Sequence, residues 1–425
     1  MKINTFPRQG TRDLSPKEVN LRNYVMNTIL QTYQKAGFLQ IETPAMESMD
    51  FLASGQGGEN EKLIFKILHR GEKLNLQKPD LQEHDVVDCG LRFDLTVPLT
   101  RFYANKKSEL PNPFKVIQFG SVWRAERPQK GRFRQFVQCD IDIFGMESIL
   151  AETELVLATS QALLNLGFRN FKVRINSRLL LENLAAECNF PSQSYGKVFI
   201  LLDKLDKIGL DGVEKELLAE NFAPDSVNKL IGIIKNLTAQ KITVSEIKNA
   251  LPNAPREVLE DLDFLLQTVQ NQADNLFEIC YDLSLVRGMG YYTGTIFEVE
   301  MADYGSSVGG GGRYDKMVGK MLKEDVPACG FSIGFERIIQ ILEEKNFQIP
   351  DQAPKIAFIY DGQKQTFSQI LPEVKKLRAE GKMVLLDIRQ KNLGKQLNRL
   401  AEQGCTDFCN YFLDKPLEIK ALTKS

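Results

Sequence analysis

The stretch Arg124-Ala125-Glu126-Arg127-Pro128-Gln129-Lys130-Gly131-Arg132-Phe133-Arg134-Gln135-Phe136 carries five cations and one acid between Arg124 and Arg134. Extended apolar runs flank it, Phe114 to Val122 before and Phe136 to Phe144 after, so it reads as the loop of an antiparallel hairpin. Like charges this close repel unless water solvates them or a polyanionic ligand faces them. A solvated hairpin is one reading. A phosphate clamp is the other, because guanidinium groups make planar, multidentate contacts to phosphate oxygens.

Working outward, Arg92 to Leu95 reads as another short extended run of the same sheet. Further upstream, Ser15-Pro16-Lys17-Glu18 is a helix start, with Ser15 as N-cap, Pro16 at the first helical position and Glu18 completing a capping box. Leu21, Val25, Thr28, Ile29 and Tyr33 recur at helical spacing to about Ala36, and Gly37 supplies the stop before a strand at Phe38 to Ile41. Downstream, Glu152 to Leu166 is an amphipathic helix, and most of Ser177 to Gln272 is charged helix-forming sequence that reads as an inserted subdomain. Strand-like runs return at Thr295 to Val299 and Phe331 to Ile333, before a helix from Phe335 to about Lys345. Beyond Pro350 and Pro354, strand and helix alternate as in a small parallel α/β domain.

The whole chain has 425 residues, enough for two or three domains, with 43% hydrophobic and 26% charged residues as in ordinary globular proteins. Lys and Arg number 54 against 55 Asp and Glu, so no global basic field draws the chain to nucleic acid or membrane; any such partner must meet a local patch. One exists: Lys355 to Ser425 holds 13 Lys or Arg and 8 Asp or Glu, a net +5, which fits a solvated mixed surface or an RNA partner. Apolar runs such as Val198 to Leu202 fall far short of the roughly 20 residues of a membrane span. Met1 to Gly10 lacks the apolar region of a signal peptide, and the expectation is a cytoplasmic protein.

Seven scattered cysteines argue against a disulfide framework. Cys405 and Cys409 are close, but with His69 and His84 the only histidines and both distant, buried packing is expected rather than a metal site. The same scarcity of histidine nearly excludes Ser-His-Asp and Cys-His mechanisms.

Two further segments could carry chemistry. Leu285-Val-Arg287-Gly-Met-Gly-Tyr291-Tyr292-Thr-Gly294 is followed by Gly309-Gly-Gly-Gly312-Arg313-Tyr314-Asp315, where glycines serve either tight turns or close backbone approach to a ligand. Neither a Walker loop nor a dinucleotide fingerprint is present. In Gly330-Phe-Ser-Ile-Gly-Phe-Glu336-Arg337, a strand runs into a helix whose first turn holds a cation, locally unfavourable unless Arg337 faces an anion.

Together these segments resemble the signature motifs of class II aminoacyl-tRNA synthetases and, in detail, of the histidyl-tRNA synthetase family, from Gly10 to about Leu342. The helix and strand through Pro44 resemble motif 1, the dimer-forming element; Phe119 to Phe144 resembles motif 2; Gly330 to Arg337 resembles motif 3. Arg287-Gly-Met-Gly-Tyr-Tyr and Gly310-Gly-Gly-Arg-Tyr-Asp resemble the two histidine-specific motifs.

The resemblance implies an α+β fold: an antiparallel sheet with flanking helices (1–170 and 275–348), a helical insertion (171–274), and a short α/β anticodon-binding-like domain (353–425). It implies a homodimer that activates L-histidine with ATP and Mg2+ and charges tRNA(His). Arg124 and Arg287 would meet the α-phosphate, Arg287 standing where other class II enzymes use a metal ion. Arg132 and Arg337 would hold the distal phosphates, Phe136 would stack on adenine and Glu126 would accept from its amino group. Asp94, Thr96 and Gln138 would hold the α-ammonium, Asp142 and Tyr292 would read the imidazole, and Tyr291 and Tyr314 would line the pocket.

Two departures stand out. Gly290 occupies a position where the family commonly has aspartate, and after Phe412 little chain is left for the last strand and helix of the terminal domain. A synthetase-like regulatory subunit of ATP phosphoribosyltransferase is the competing reading, since it keeps a histidine pocket, but it loses ATP-site arginines that are all present here. A third is a ligase passing histidyl-adenylate to another acceptor.

Overall fold

The computed structural model describes residues 3–53, 60–128, 132–238, 242–287, 291–301, 304, 306–322, 324–350 and 353–422. Gln129 to Gly131 of the charged loop and Gly288 to Gly290, including the departure at Gly290, lie outside the described residues. The chain divides into two compact units, Met1–Phe347 and Gln348–Ser425.

The first helix, Pro16–Lys35, forms as its capping box dictates: the Glu18 amide donates to Ser15 Oγ (3.3 Å) and the Ser15 amide to Glu18 Oε2 (2.7 Å). It ends in a Schellman turn, in which Gly37 takes φ +84°, its amide bonds the Gln34 carbonyl and the Phe38 amide bonds that of Tyr33. The rings of Tyr33 and Phe38 close that turn at 5.9 Å. The chain is thereby aimed into the short strand Leu39–Gln40, which pairs in parallel with Phe114–Trp123.

Eight strands form the main sheet, in the spatial order 39–40, 114–123, 135–144, 328–333, 306–313, 295–301, 171–177, 277–281. The five pairings from Phe114–Trp123 across to Phe171–Ser177 are antiparallel, and the pairings at the two ends are parallel. Along Gln135–Phe144 the period of two places Cys139, Ile141 and Ile143, all fully buried, on the face opposite Gln138, Asp140 and Asp142. Apolar packing holds the polar face in place: Tyr103 stacks on Phe144 at 4.5 Å, and Tyr314 meets Phe144 edge-on at 6.1 Å.

Two expectations need correction. The expected extended run Arg92 to Leu95 is irregular. The strand before it is Val87–Leu91, and a helix, Thr96–Lys106, follows. The cause is local: Arg92 buries its guanidinium against the Thr43 (2.6 Å) and Ser121 (2.9 Å) carbonyls, while Asp94 Oδ1 accepts from the Val97 amide (3.0 Å) and starts the helix. The expected insertion at 171–274 also begins too early, because Phe171–Ser177 is a strand of the main sheet. Six of its seven residues are buried, yet its sequence alternates, Phe171, Val173 and Ile175 with Lys172, Arg174 and Asn176, so the strand was legible by its period of two. The helices between Arg178 and Gln272 follow it.

In the second unit, strands 383–388, 355–360 and 407–410 pair in parallel, and Lys420–Ala421 adds an antiparallel edge, a short last strand in the segment after Phe412. Helices Phe367–Ala379 and Leu393–Glu402 complete it. Cys405 and Cys409 are buried in different clusters, Cys405 with Ala357 and Ile359, Cys409 with Ile356 and Phe358, which alternate along one strand. They pack as small apolar residues.

Candidate active site

The site is built on rows of residues that face one another across the sheet. In one row Asp142 stands opposite Gly330, and Gly330 opposite Gly312; in the next, Asp140, Ser332, Gly310, Glu298 and Arg174 follow in register. The glycines therefore lie in the middle of the sheet rather than in turns. Their lack of side chains makes room for long neighbours: a Cβ on Gly310 would stand 1.5 Å from Arg287 Nη1 and 2.8 Å from the Phe297 carbonyl oxygen, and one on Gly330 2.0 Å from Asp142 Oδ1. Gly310→Ala is expected to unseat Arg287 and lower about 100-fold the turnover of a reaction that uses its charge, whereas Gly330→Ala should displace Asp142 and chiefly raise the KM of a ligand bound there. Steady-state kinetics separate the two effects.

Over these rows lies a cleft of about 530 Å³ whose walls include Arg124, Glu126, Arg132, Phe136, Gln138, Arg287 and Arg337. Arg124 is fixed by donation from Nε to the Phe93 carbonyl (3.0 Å), and its guanidinium stands 5.0 Å from the centre of the Phe136 ring. Arg132 is largely exposed and 4.0 Å from Glu126. Arg287 Nε pairs with Glu298 Oε2 at 3.1 Å. Among the described residues Arg337, in the first turn of Phe335–Glu344, makes no ion pair and faces the cleft. Four guanidiniums converge with few carboxylates to neutralise them, an arrangement complementary to a polyphosphate.

Beside it, and sharing Gly310 and Ser332 as walls, is a smaller cavity of about 40 Å³ bounded by Thr96, Asp140, Asp142, Tyr291, Tyr292 and Tyr314. The Tyr314 hydroxyl donates to Asp142 Oδ1 at 2.5 Å, Tyr291 bonds Thr96, and the Tyr291 ring lies 4.9 Å from Tyr292 and 5.3 Å from Tyr314. Asp142 Oδ2 and Gln138 Oε1 are buried without a hydrogen-bond partner among the described residues. Buried acceptors of this kind are costly to leave unmet, so both sit ready for donors of a ligand.

Every residue assigned to the site from sequence lines one of these two spaces except Asp94, whose carboxylate acts electrostatically on Asp140, Asp142 and Tyr291 from the edge of the smaller one. Sequence reasoning missed Asp140, Ser332 and Glu298. The first was legible, since alternation puts Asp140 between Gln138 and Asp142 on the same face. Among the described residues its one side-chain hydrogen bond is accepted from the Ser332 hydroxyl at 2.5 Å.

Burial lifts the carboxyls of Asp94 and Asp142 above their ordinary range and that of Asp140 to about 7 from an ordinary 3.8, with the neighbouring Asp94 charge adding to the effect on Asp140. Between pH 4 and 7 these carboxyls then bind more protons in the folded protein than in the unfolded chain, so the stability they contribute falls as pH rises through that window. Asp140→Asn is expected to flatten this decline, read as a smaller loss of Tm between pH 5 and pH 8 without ligand. An unchanged loss would remove Asp140 from the buried acidic cluster.

A larger open groove of about 850 Å³ runs past Tyr103, Lys107, Asn112 and Asp325 and contains none of the residues above. Volume alone does not mark the site; convergent charge and unmet acceptors do.

Comparison with known proteins agrees with this geometry. The family described as histidyl-tRNA synthetase matches residues 10–338. A histidine–tRNA ligase of Leifsonia xyli subsp. xyli is 41% identical over 98% of both chains. The chain belongs to the histidyl-tRNA synthetase family. Among solved structures, the histidyl-tRNA synthetase of Nostoc sp. PCC 7120 superposes with a TM-score of 0.79 at 27% identity, covering 96% of this chain and 91% of that one. A Bacillus halodurans protein described as an ATP phosphoribosyltransferase regulatory subunit/histidyl-tRNA synthetase shares the fold at 19% identity and a TM-score of 0.76, with 94% and 97% covered. Membership in the histidyl-tRNA synthetase family makes the chain a class II synthetase, and its α+β core is the one such enzymes use.

Proposed function

We propose that this member of the histidyl-tRNA synthetase family activates L-histidine with Mg2+-bound ATP in the cleft and transfers it to the 3′ end of tRNA(His). The observation that carries the site assignment is the pair of unmet buried acceptors, Asp142 Oδ2 and Gln138 Oε1, set beside a cleft walled by four arginines. Histidine brings an imidazole N–H and an α-ammonium to those acceptors, and ATP brings its phosphates to the arginines.

Catalysis then follows from charge. A histidine carboxylate oxygen attacks the α-phosphorus, and the bond to the bridging oxygen breaks to release pyrophosphate. Arg124 and Arg287 offset the charge that gathers on the α-phosphate oxygens, while Arg132 and Arg337 hold the distal phosphates. Phe136 offers a ring to adenine, and Glu126 accepts from its amino group. Mg2+ arrives with ATP as part of the substrate.

In the second step the terminal adenosine hydroxyl attacks the adenylate carbonyl and AMP leaves, with a phosphate oxygen of the adenylate taking the hydroxyl proton. Substrate assistance is favoured because no histidine base is near: His69 sits 3.4 Å from Asp88 outside the cleft, and His84 is exposed.

The edge strand Leu39–Gln40 has no outer partner among the described residues, and Leu39 is 52% exposed, which suits the motif 1 element to pairing with a second copy. The basic second unit suits the tRNA anticodon arm. None of the described helices is long and apolar enough to cross a membrane. A role in tRNA charging supports a cytoplasmic location. Histidine-dependent exchange between ATP and pyrophosphate, measured beside charging of tRNA(His), tests the whole reading. Exchange with charging supports it; exchange without charging indicates another acceptor, and histidine binding without exchange indicates a regulatory subunit.

A further inference from the structure

Arg287 is held by a chain of charges that begins in the helical insertion. Its partner Glu298 lies on Thr295–Met301 directly opposite Arg174 of Phe171–Ser177, and opposite Gly310 on the other side. The two carboxylate oxygens of Glu298 face different guanidiniums: Oε2 is 3.1 Å from Arg287 Nε, and Oε1 is 3.6 Å from Arg174 Nη1. Arg174 is nearly buried, and its remaining nitrogens are taken up elsewhere. Nε meets Asp282 Oδ2 at 2.5 Å, and Nη2 meets both Ser284 Oγ and Asp206 Oδ2 at 2.9 Å. Asp282 and Ser284 belong to the segment that leads into Arg287, and Asp282 Oδ1 braces that segment by accepting from the Ser284 amide (2.9 Å) and hydroxyl (2.7 Å). Asp206 comes from the insertion, in the first turn of Leu205–Ala219 before a kink at Gly209.

We propose that Arg174 is a positioning residue for Arg287, and that Asp206 of the insertion sets its orientation through Arg174 and Glu298. A guanidinium is a rigid planar fork, so fixing Nη2 on Asp206 and Nε on Asp282 fixes the direction in which Nη1 presents charge to Glu298. Glu298 is shared between two cations. If Arg174 loses Asp206, it draws more of the Glu298 charge to itself, and Arg287 is less firmly held over Gly310. The insertion thus has an ionic handle on the arginine assigned to the α-phosphate, and a shift of Leu205–Ala219 is felt at the reaction centre with no contact to histidine or ATP.

This inference rests on the reading of Arg287 as the α-phosphate arginine, and the experiment separates the two. Histidine-dependent ATP–pyrophosphate exchange is measured on the full chain for Arg287→Ala, Glu298→Gln, Asp206→Ala and Asp206→Glu, with Tm recorded for each. Asp206 is more than half exposed, so its truncation should leave Tm unchanged. The expected result is a kcat lowered about 3- to 10-fold for Asp206→Ala and about 30-fold for Glu298→Gln, with the histidine KM within twofold of the parent and recovery in Asp206→Glu; screening of the exposed carboxylate keeps the first effect the smaller. Arg174→Lys, which keeps the charge and loses the fork, should resemble Asp206→Ala. Equal kcat in Asp206→Ala and the parent, with Arg287→Ala inactive, would overturn the relay and leave the role of Arg287 standing. Unchanged exchange in Arg287→Ala would remove both. Loss of Tm in parallel with kcat across the Asp206 and Glu298 variants would reduce the chain to a structural tie and also overturn the proposal.

Discussion

Replacing Arg287 with alanine is expected to lower histidine-dependent ATP–pyrophosphate exchange by about 10³-fold or more while histidine binding stays measurable. Arg287 lines the polyphosphate cleft but not the smaller cavity. In the proposed reaction it would act where charge develops, on the α-phosphate side, and contribute little to holding the imidazole. Removing a group used mainly in the transition state lowers kcat and kcat/KM together, which is the pattern to look for. Arg287→Lys restores a positive charge without the planar fork, so it should recover only part of the rate. Histidine binding by calorimetry on the same variants gives the second half of the test. Exchange unchanged in Arg287→Ala would end its assignment.

Asp142→Ala should raise the histidine KM by about 10²- to 10³-fold, equivalent to about 3 to 4 kcal/mol, through loss of an acceptor for the ligand and of the acceptor for Tyr314. The buried Tyr314 hydroxyl would be left unmet in the variant, because Asp142 Oδ1 is the partner it donates to. Asp142→Asn is the informative companion. Its amide oxygen can still accept from the imidazole, and its amide nitrogen can donate to the Tyr314 hydroxyl, so it should fall between alanine and the parent. A histidine KM unaltered in Asp142→Ala would take this residue out of the imidazole site.

Much of this was open to a reading of the sequence, and the limits have physical causes. The first helix carries its start, its apolar stripe and its stop within about 20 neighbouring residues, so local rules suffice. The same holds for the hairpin Phe114 to Phe144, whose two extended apolar arms flank a loop that repels itself. Thr96–Lys106 escaped because Val97-Pro98-Leu99 shows no helical period, and its start depends on Asp94 reaching the Val97 amide. Phe171–Ser177 alternates apolar and polar residues, but its place in the main sheet depends on pairing with the distant strands Phe277–Tyr281 and Thr295–Met301, which no local pattern announces. The glycine run 309–312 could not be told from turns, since glycine carries neither strand preference nor period. It is a central strand because Phe331, Arg287, Phe297 and Tyr292 fill the space that its side chains would have taken.

What the sequence determined by itself was the set of chemical groups: the clustered arginines, the carboxylates at every second position, the paired tyrosines, and the absence of histidines suited to acid–base work. Those depend on residue identity and on neighbours a few positions away. Tertiary structure alone decided which groups meet. Asp140 is bound to Ser332, Glu298 lies between Arg287 and Arg174, and Asp206 reaches Arg174 from the insertion. Each pairing joins segments far apart in the chain. A slip of one residue would turn the strand residues Asp140, Ser332, Glu298 and Arg174 to the other face, and local sequence preferences do not encode which distant strand or helix lies alongside.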